Sequence, residues 1–62
     1  MPIIQIHMLE GRTKAQKKEL LQAVTKAVQE SLDVPLSSIR VWIQDIPKDE
    51  FMAAGILKSE NK

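Results

Sequence analysis

The chain has 62 residues, 9 basic and 8 acidic side chains, a formal net charge of +1 and no cysteine. One domain spanning 1–62 is therefore the ceiling, disulfides and thiolate metal sites are excluded, and His7 alone cannot build a zinc site. The balanced charge, with one Trp, one Phe and no Tyr, argues against a nucleic-acid partner. No apolar run nears the roughly 20 residues that span a bilayer.

The N-terminal stretch lacks the cationic start and long apolar core of a secretory signal, so a soluble cytoplasmic protein is expected. A monomer of this length buries only about 60% of the surface its unfolded chain exposes. With no disulfide or metal to staple it, self-association is the expected support.

Pro2 to Leu9 reads as a strand. Ile3, Ile4, Ile6, Met8 and Leu9 leave only Gln5 and His7 polar, the pattern of a strand covered on both faces. Proline suits the first position, where no ladder donor is needed. His7 shares a face with Ile3, Gln5 and Leu9 and reads as a hydrogen-bonded structural residue, with no acid nearby to make it catalytic.

Glu10-Gly11-Arg12 is a turn. Thr13-Lys14-Ala15-Gln16 then fits a capping box, with Thr13 as N-cap and Gln16 reaching back. The helix that follows carries Leu20, Leu21, Val24, Ala27, Val28 and Leu32 along one stripe. Lys14, Lys17, Lys18, Gln22, Lys26 and Gln29 form the opposite, solvated face. Pro35 closes the helix, because the residue before a proline avoids the α region.

After a short link, Leu36-Ser37-Ser38, a second strand is expected over Ile39 to Ile46. Ile39, Val41 and Ile43 point one way, and Arg40, Trp42 and Gln44 the other. Strand, helix and strand make a right-handed β-α-β unit with parallel strands. The helix covers the face of Ile39, Val41 and Ile43, which leaves the face of Arg40 and Trp42 for a second subunit. Pro47 to Glu50 is a polar break. Phe51 to Leu57 is too short to fold alone and reads as a small hairpin or arm lying on a neighbouring subunit. Lys58 to Lys62 is a polar tail. The fold class is thus α+β: a β-α-β unit with a two-stranded parallel sheet and a short C-terminal hairpin, completed by oligomerisation.

The residues hold no nucleophile triad, phosphate loop or metal cluster. Gly11 and Gly55 are isolated and make no phosphate cradle. What remains is an amine and two arginines. If Met1 is removed, the Pro2 nitrogen becomes a secondary amine able to take a proton; if Met1 stays, it is a tertiary amide without basicity. An α-amino group ordinarily titrates at about 7.7–8.0, and an apolar site with nearby cations lowers that value. A base poised near neutrality suits general acid–base catalysis. Arg12 and Arg40 stay charged and can grip carboxylates bidentately; the alternative for both is surface ion pairing, which is the less favoured reading for Arg40, set mid-face on a strand otherwise apolar nearby. Core packing is the plainer role for Phe51.

Pro2-Ile3-Ile4-Gln5-Ile6-His7, Leu9-Glu10-Gly11-Arg12, Gln16-Lys17, Ser31-Leu32-Asp33, Pro35-Leu36 and Ser38-Ile39-Arg40-Val41 resemble the 4-oxalocrotonate tautomerases, also called 2-hydroxymuconate tautomerases. The likeness runs over nearly the whole chain without gaps. It implies a β-α-β fold assembled as a homohexamer, a trimer of dimers. It implies a cofactor-free, metal-free keto–enol isomerase of aromatic-ring breakdown, in which the exposed proline carries a proton along a conjugated dienol dicarboxylate to give the α,β-unsaturated ketone. By position, Pro2 would be the base and Arg12 would hold the distal carboxylate. Arg40, from a neighbouring subunit, would engage the 2-hydroxy oxygen and near carboxylate. Phe51 would keep the site apolar, and Leu9 and Ser38 would line it.

The chain departs from the family in three places. Phe51-Met52-Ala53-Ala54-Gly55 replaces the frequent Phe-Gly-Ile-Gly-Gly, Trp42 is bulkier than the usual aliphatic residue, and the tail lacks the frequent arginines. Two other readings stay open at this point. One is a related hydratase or dehalogenase of haloacrylates, with a protonated proline as acid and Glu10, Asp49 or Glu50 activating water. The other is an oligomeric interaction module without catalysis.

Overall fold

The computed structural model describes residues 1–60. Strand β1 (Ile3–Leu9) leads into helix α1 (Lys14–Leu32), and a 3₁₀ turn over Leu36–Ser38 leads into strand β2 (Arg40–Ile46). A second 3₁₀ turn over Lys48–Glu50 precedes a hairpin of β3 (Met52–Ala53) and β4 (Ile56–Leu57). The tail expected to be plain polar chain holds a last 3₁₀ turn over Lys58–Glu60; Asn61 and Lys62 lie outside the described residues. Among the described residues, no helix is long and apolar enough to cross a membrane.

β1 and β2 pair in parallel, with Ile3 opposite Arg40 and Leu9 opposite Ile46. Each strand alternates sharply. Ile4, Ile6 and Met8 of β1, with Val41 and Ile43 of β2, are half-buried on the helix side. Ile3, Gln5, His7, Arg40, Trp42 and Gln44 are exposed on the other side, where Gln5 Nε2 donates to Gln44 Oε1 at 3.0 Å. His7, expected as a bonded structural residue, lies exposed on this open face because the period of two fixes its direction.

The capping box forms as expected: the Gln16 N–H donates to Thr13 Oγ1 and the Thr13 N–H to Gln16 Oε1, each at 3.1 Å. The helix ends at Leu32, earlier than Pro35 alone requires. Asp33 takes a left-handed conformation, φ 54°, and its N–H donates to the Gln29 carbonyl; the proline two residues on forbids continuation. Leu20, Leu21, Val24 and Val28 form the half-buried stripe, but Ala27 at its margin and Leu32 at its end are exposed. Lys17 does not belong to the solvated face. It sits three residues before Leu20, is half-buried, and pairs with Asp45 of β2.

The departure at Ala54 has a clear local consequence. The two-residue loop between β3 and β4 needs positive φ at both central residues, the signature of a type I′ hairpin turn. Gly55 supplies φ 80° without strain, while Ala54 is held at φ 55°. Lys58 N–H to the Phe51 carbonyl, 2.8 Å, extends the ladder. The hairpin persists without the glycine, at a cost of about 1 kcal/mol for placing a Cβ in that region.

A single chain makes almost no interior. Ile39, 7% exposed, is the one buried hydrophobic side chain among the described residues. The accessible surface is 4995 Å², against about 4,000 Å² for a compact monomer of this mass. The radius of gyration is 14.8 Å, where a compact chain of this length would have roughly 10–11 Å. The excess comes from the projecting hairpin, whose main contact outside itself is with the Lys48–Glu50 turn, and from the uncovered sheet face.

Candidate active site

The candidate residues fall at opposite ends of the parallel pair. At its N-terminal end lie Pro2, Ser38 and Arg40. Pro2 is half-buried at the head of β1, and its carbonyl accepts the Arg40 N–H at 3.1 Å. That bond fixes the proline ring while leaving its nitrogen tied only to Met1, which is 79% exposed. Ser38 turns inward on its own loop, its Oγ donating to the Pro35 carbonyl at 2.9 Å. The Arg40 guanidinium folds back to donate to the Ser37 carbonyl at 2.7 Å and the Ile39 carbonyl at 3.1 Å. Arg40 is also among the residues at the edge of an open groove of about 630 Å³ between α1 and β2, whose apolar lining includes Leu21, Leu36 and Val41.

At the C-terminal end lie Leu9 and Arg12. The turn that follows β1 is tied to the loop that follows β2 by two bonds. Glu10 N–H donates to the Ile46 carbonyl at 3.0 Å, and Lys48 N–H donates to Glu10 Oε2 at 2.9 Å. Gly11 makes the reversal with φ 122°, which a side chain would resist. Leu9, Glu10, Gly11, Arg12 and Lys48, with Met8, border an open hollow of about 470 Å³. Arg12 also borders a smaller one with Gln16 and Lys17.

Seven residues of β1 separate these ends, so Pro2 and Arg12 of one chain stand about 20 Å apart at the rise of an extended strand. Phe51, 39% exposed, leads into the projecting hairpin. One chain thus brings together Pro2, Ser38 and the Arg40 backbone, and separately Leu9 and Arg12, but it does not unite the two groups. Sequence reasoning missed the bond between Lys48 N–H and the Glu10 carboxylate. No local pattern announces a bond between residues 38 apart.

These features have close counterparts among known proteins. The tautomerase family, described as "Tautomerase enzyme", matches residues 2–61. The chain is 45% identical over 60 residues to a 2-hydroxymuconate tautomerase of Pseudomonas putida, covering 97% of this chain and 95% of the relative. It is 51% identical over 55 residues to one of Stutzerimonas stutzeri, covering 89% and 87%. Among solved structures, a heterohexameric 4-oxalocrotonate tautomerase from Chloroflexus aurantiacus J-10-fl superimposes with a TM-score of 0.91 at 39% identity, covering all of both chains. The chain belongs to the tautomerase family. It is an isomerase, a tautomerase with the β-α-β fold and C-terminal hairpin of that family.

Proposed function

We propose that the protein ketonises a 2-hydroxydienoate dicarboxylate such as 2-hydroxymuconate, with Pro2 as the base once Met1 is removed. The observation that carries this reading is the seat of Pro2. It is held by its carbonyl at the strand head, and its nitrogen would be freed by loss of one exposed residue.

In the reaction, the Pro2 nitrogen takes the proton of the 2-hydroxyl. The O–H pair becomes the second bond of the C2 carbonyl, the C2–C3 double bond shifts to C3–C4, and the C4–C5 pair accepts the proton at C5. No atom or electron is gained overall. Arg12 holds the far carboxylate and favours charge moving toward C5, where a cation acts on charge that develops in the transition state. Arg40 engages the 2-oxygen and near carboxylate. Leu9, Ser38 and Phe51 line the site and limit water.

Separation of the two residue groups by a strand's length makes this a shared site. Two copies running antiparallel set the Pro2 end of each against the Arg12 end of the other, an isologous arrangement. The Arg40 head bonds to carbonyls of its own loop and not to β1, which fits a role in a neighbour's site. The open sheet face, the projecting hairpin and the excess surface fit a homo-oligomer, here read as a hexamer of three dimers.

The test is ketonisation of 2-hydroxymuconate, followed by absorbance, on protein whose mass confirms loss of Met1. Pro2→Ala, which leaves a primary amine, is expected to lower kcat by about 100-fold or more, the weight of a positioned general base. Equal turnover in Pro2→Ala and the parent protein would overturn the role given to Pro2.

A further inference from the structure

The cavity at the C-terminal end of the strands contains a cation that the reaction above does not use. Lys48 is the first residue of the 3₁₀ turn after β2, with Pro47 before it at φ −61°. Its backbone is held from the far side by Glu10 Oε2. The Glu10 carboxylate therefore accepts from the Lys48 main chain, and the ammonium is left for another anion. Among the described residues the single ion pair is Lys17 with Asp45. Lys17, the other lysine near Arg12, is thus committed, while Arg12 and Lys48 border one cavity with no carboxylate partner among the described residues. Arg12 and Lys48 share the lining of this hollow with a single carboxylate, Glu10.

We propose that Lys48 is a specificity-determining residue: its ammonium meets the far carboxylate of the substrate alongside Arg12 and sets the preference for dicarboxylates over monocarboxylates. The inference rests on the tautomerase reading of the same site. The chemistry is complementary. The arginine fork takes two coplanar acceptor sites of a carboxylate, and a lysine, as a rotatable point charge, takes a remaining one. The loop that carries Lys48 is tied to the turn that carries Arg12, which sets both residues beside one hollow. An acid lacking the far carboxylate would leave both cations without a counterion.

The experiment compares two substrates in Met1-free protein: 2-hydroxymuconate, and 2-hydroxypenta-2,4-dienoate, which keeps the near carboxylate and lacks the far one. Lys48→Met retains the alkyl stem and the backbone N–H. It is expected to lower kcat/KM for the dicarboxylate about tenfold, mainly through KM, since the ammonium holds a group charged in both ground and transition states. The fall for the monocarboxylate is expected to stay under about twofold, because no carboxylate reaches that cavity. Lys48→Arg is expected to restore most of the preference. Equal falls on both substrates, or an unchanged preference, would overturn the role of Lys48. Wild-type protein that ketonises neither acid would instead overturn the tautomerase reading itself.

Discussion

The two ends of the β1–β2 pair are made of different materials. At the N-terminal end the Arg40 N–H donates to the Pro2 carbonyl, and the candidate group is a ring nitrogen. The C-terminal end is cross-tied by two bonds through Glu10 and carries cations around a cavity. Proton transfer needs a neutral amine, which nearby positive charge helps to keep neutral. Anion binding needs fixed positive charge. One chain keeps Pro2 and Arg12 at opposite ends of the strand pair, and the site proposed above needs a neighbouring copy to bring them together.

The sharpest way to break this comparison is complementation. Pro2→Ala and Arg12→Ala protein, each strongly impaired alone, should regain activity when unfolded and refolded as an equal mixture. With random pairing, about a quarter of the sites combine an intact proline with an intact arginine in the antiparallel arrangement. A mixture no more active than its parts would mean that each chain builds its own site, against the 20 Å separation.

A smaller effect is expected in the hairpin. Ala54→Gly should raise stability by about 1 kcal/mol, measured by denaturant titration at fixed protein concentration, because it relieves a Cβ in the left-handed region. That gain should come without loss of turnover, since Ala54 lies in neither residue group. The smallest change is expected at Lys17. Lys17→Met removes a partly exposed ion pair and should cost less than about 1 kcal/mol. A greater loss would mean that the Asp45 contact, and not apolar packing, holds α1 on the sheet.

Much of the fold was legible because its signals are local. Thr13 and Gln16 are three residues apart and form their box wherever the helix starts. The alternation of Ile4, Ile6 and Met8 against Ile3, Gln5 and His7 declares which side each residue faces once one face is covered. The misreadings also have local causes. The charge of Lys17 predicts a solvated position although its helical position borders the stripe; it is half-buried and its head reaches Asp45. Asp33 ended the helix before Pro35 could, because a short polar side chain tolerates positive φ.

The amino-acid sequence by itself determined the element order, the helix start, the parallel pairing implied by a crossover, and a proline one peptide bond away from being a free amine. Those follow from spacing over a few residues and from residue chemistry. The tertiary structure alone decided which groups meet. It set Arg40 beside Pro2, bound Glu10 to Lys48 across 38 residues, and put Arg12 at the far end of the strand. Such meetings depend on strand register and on where the loops close, quantities that no short window of sequence contains.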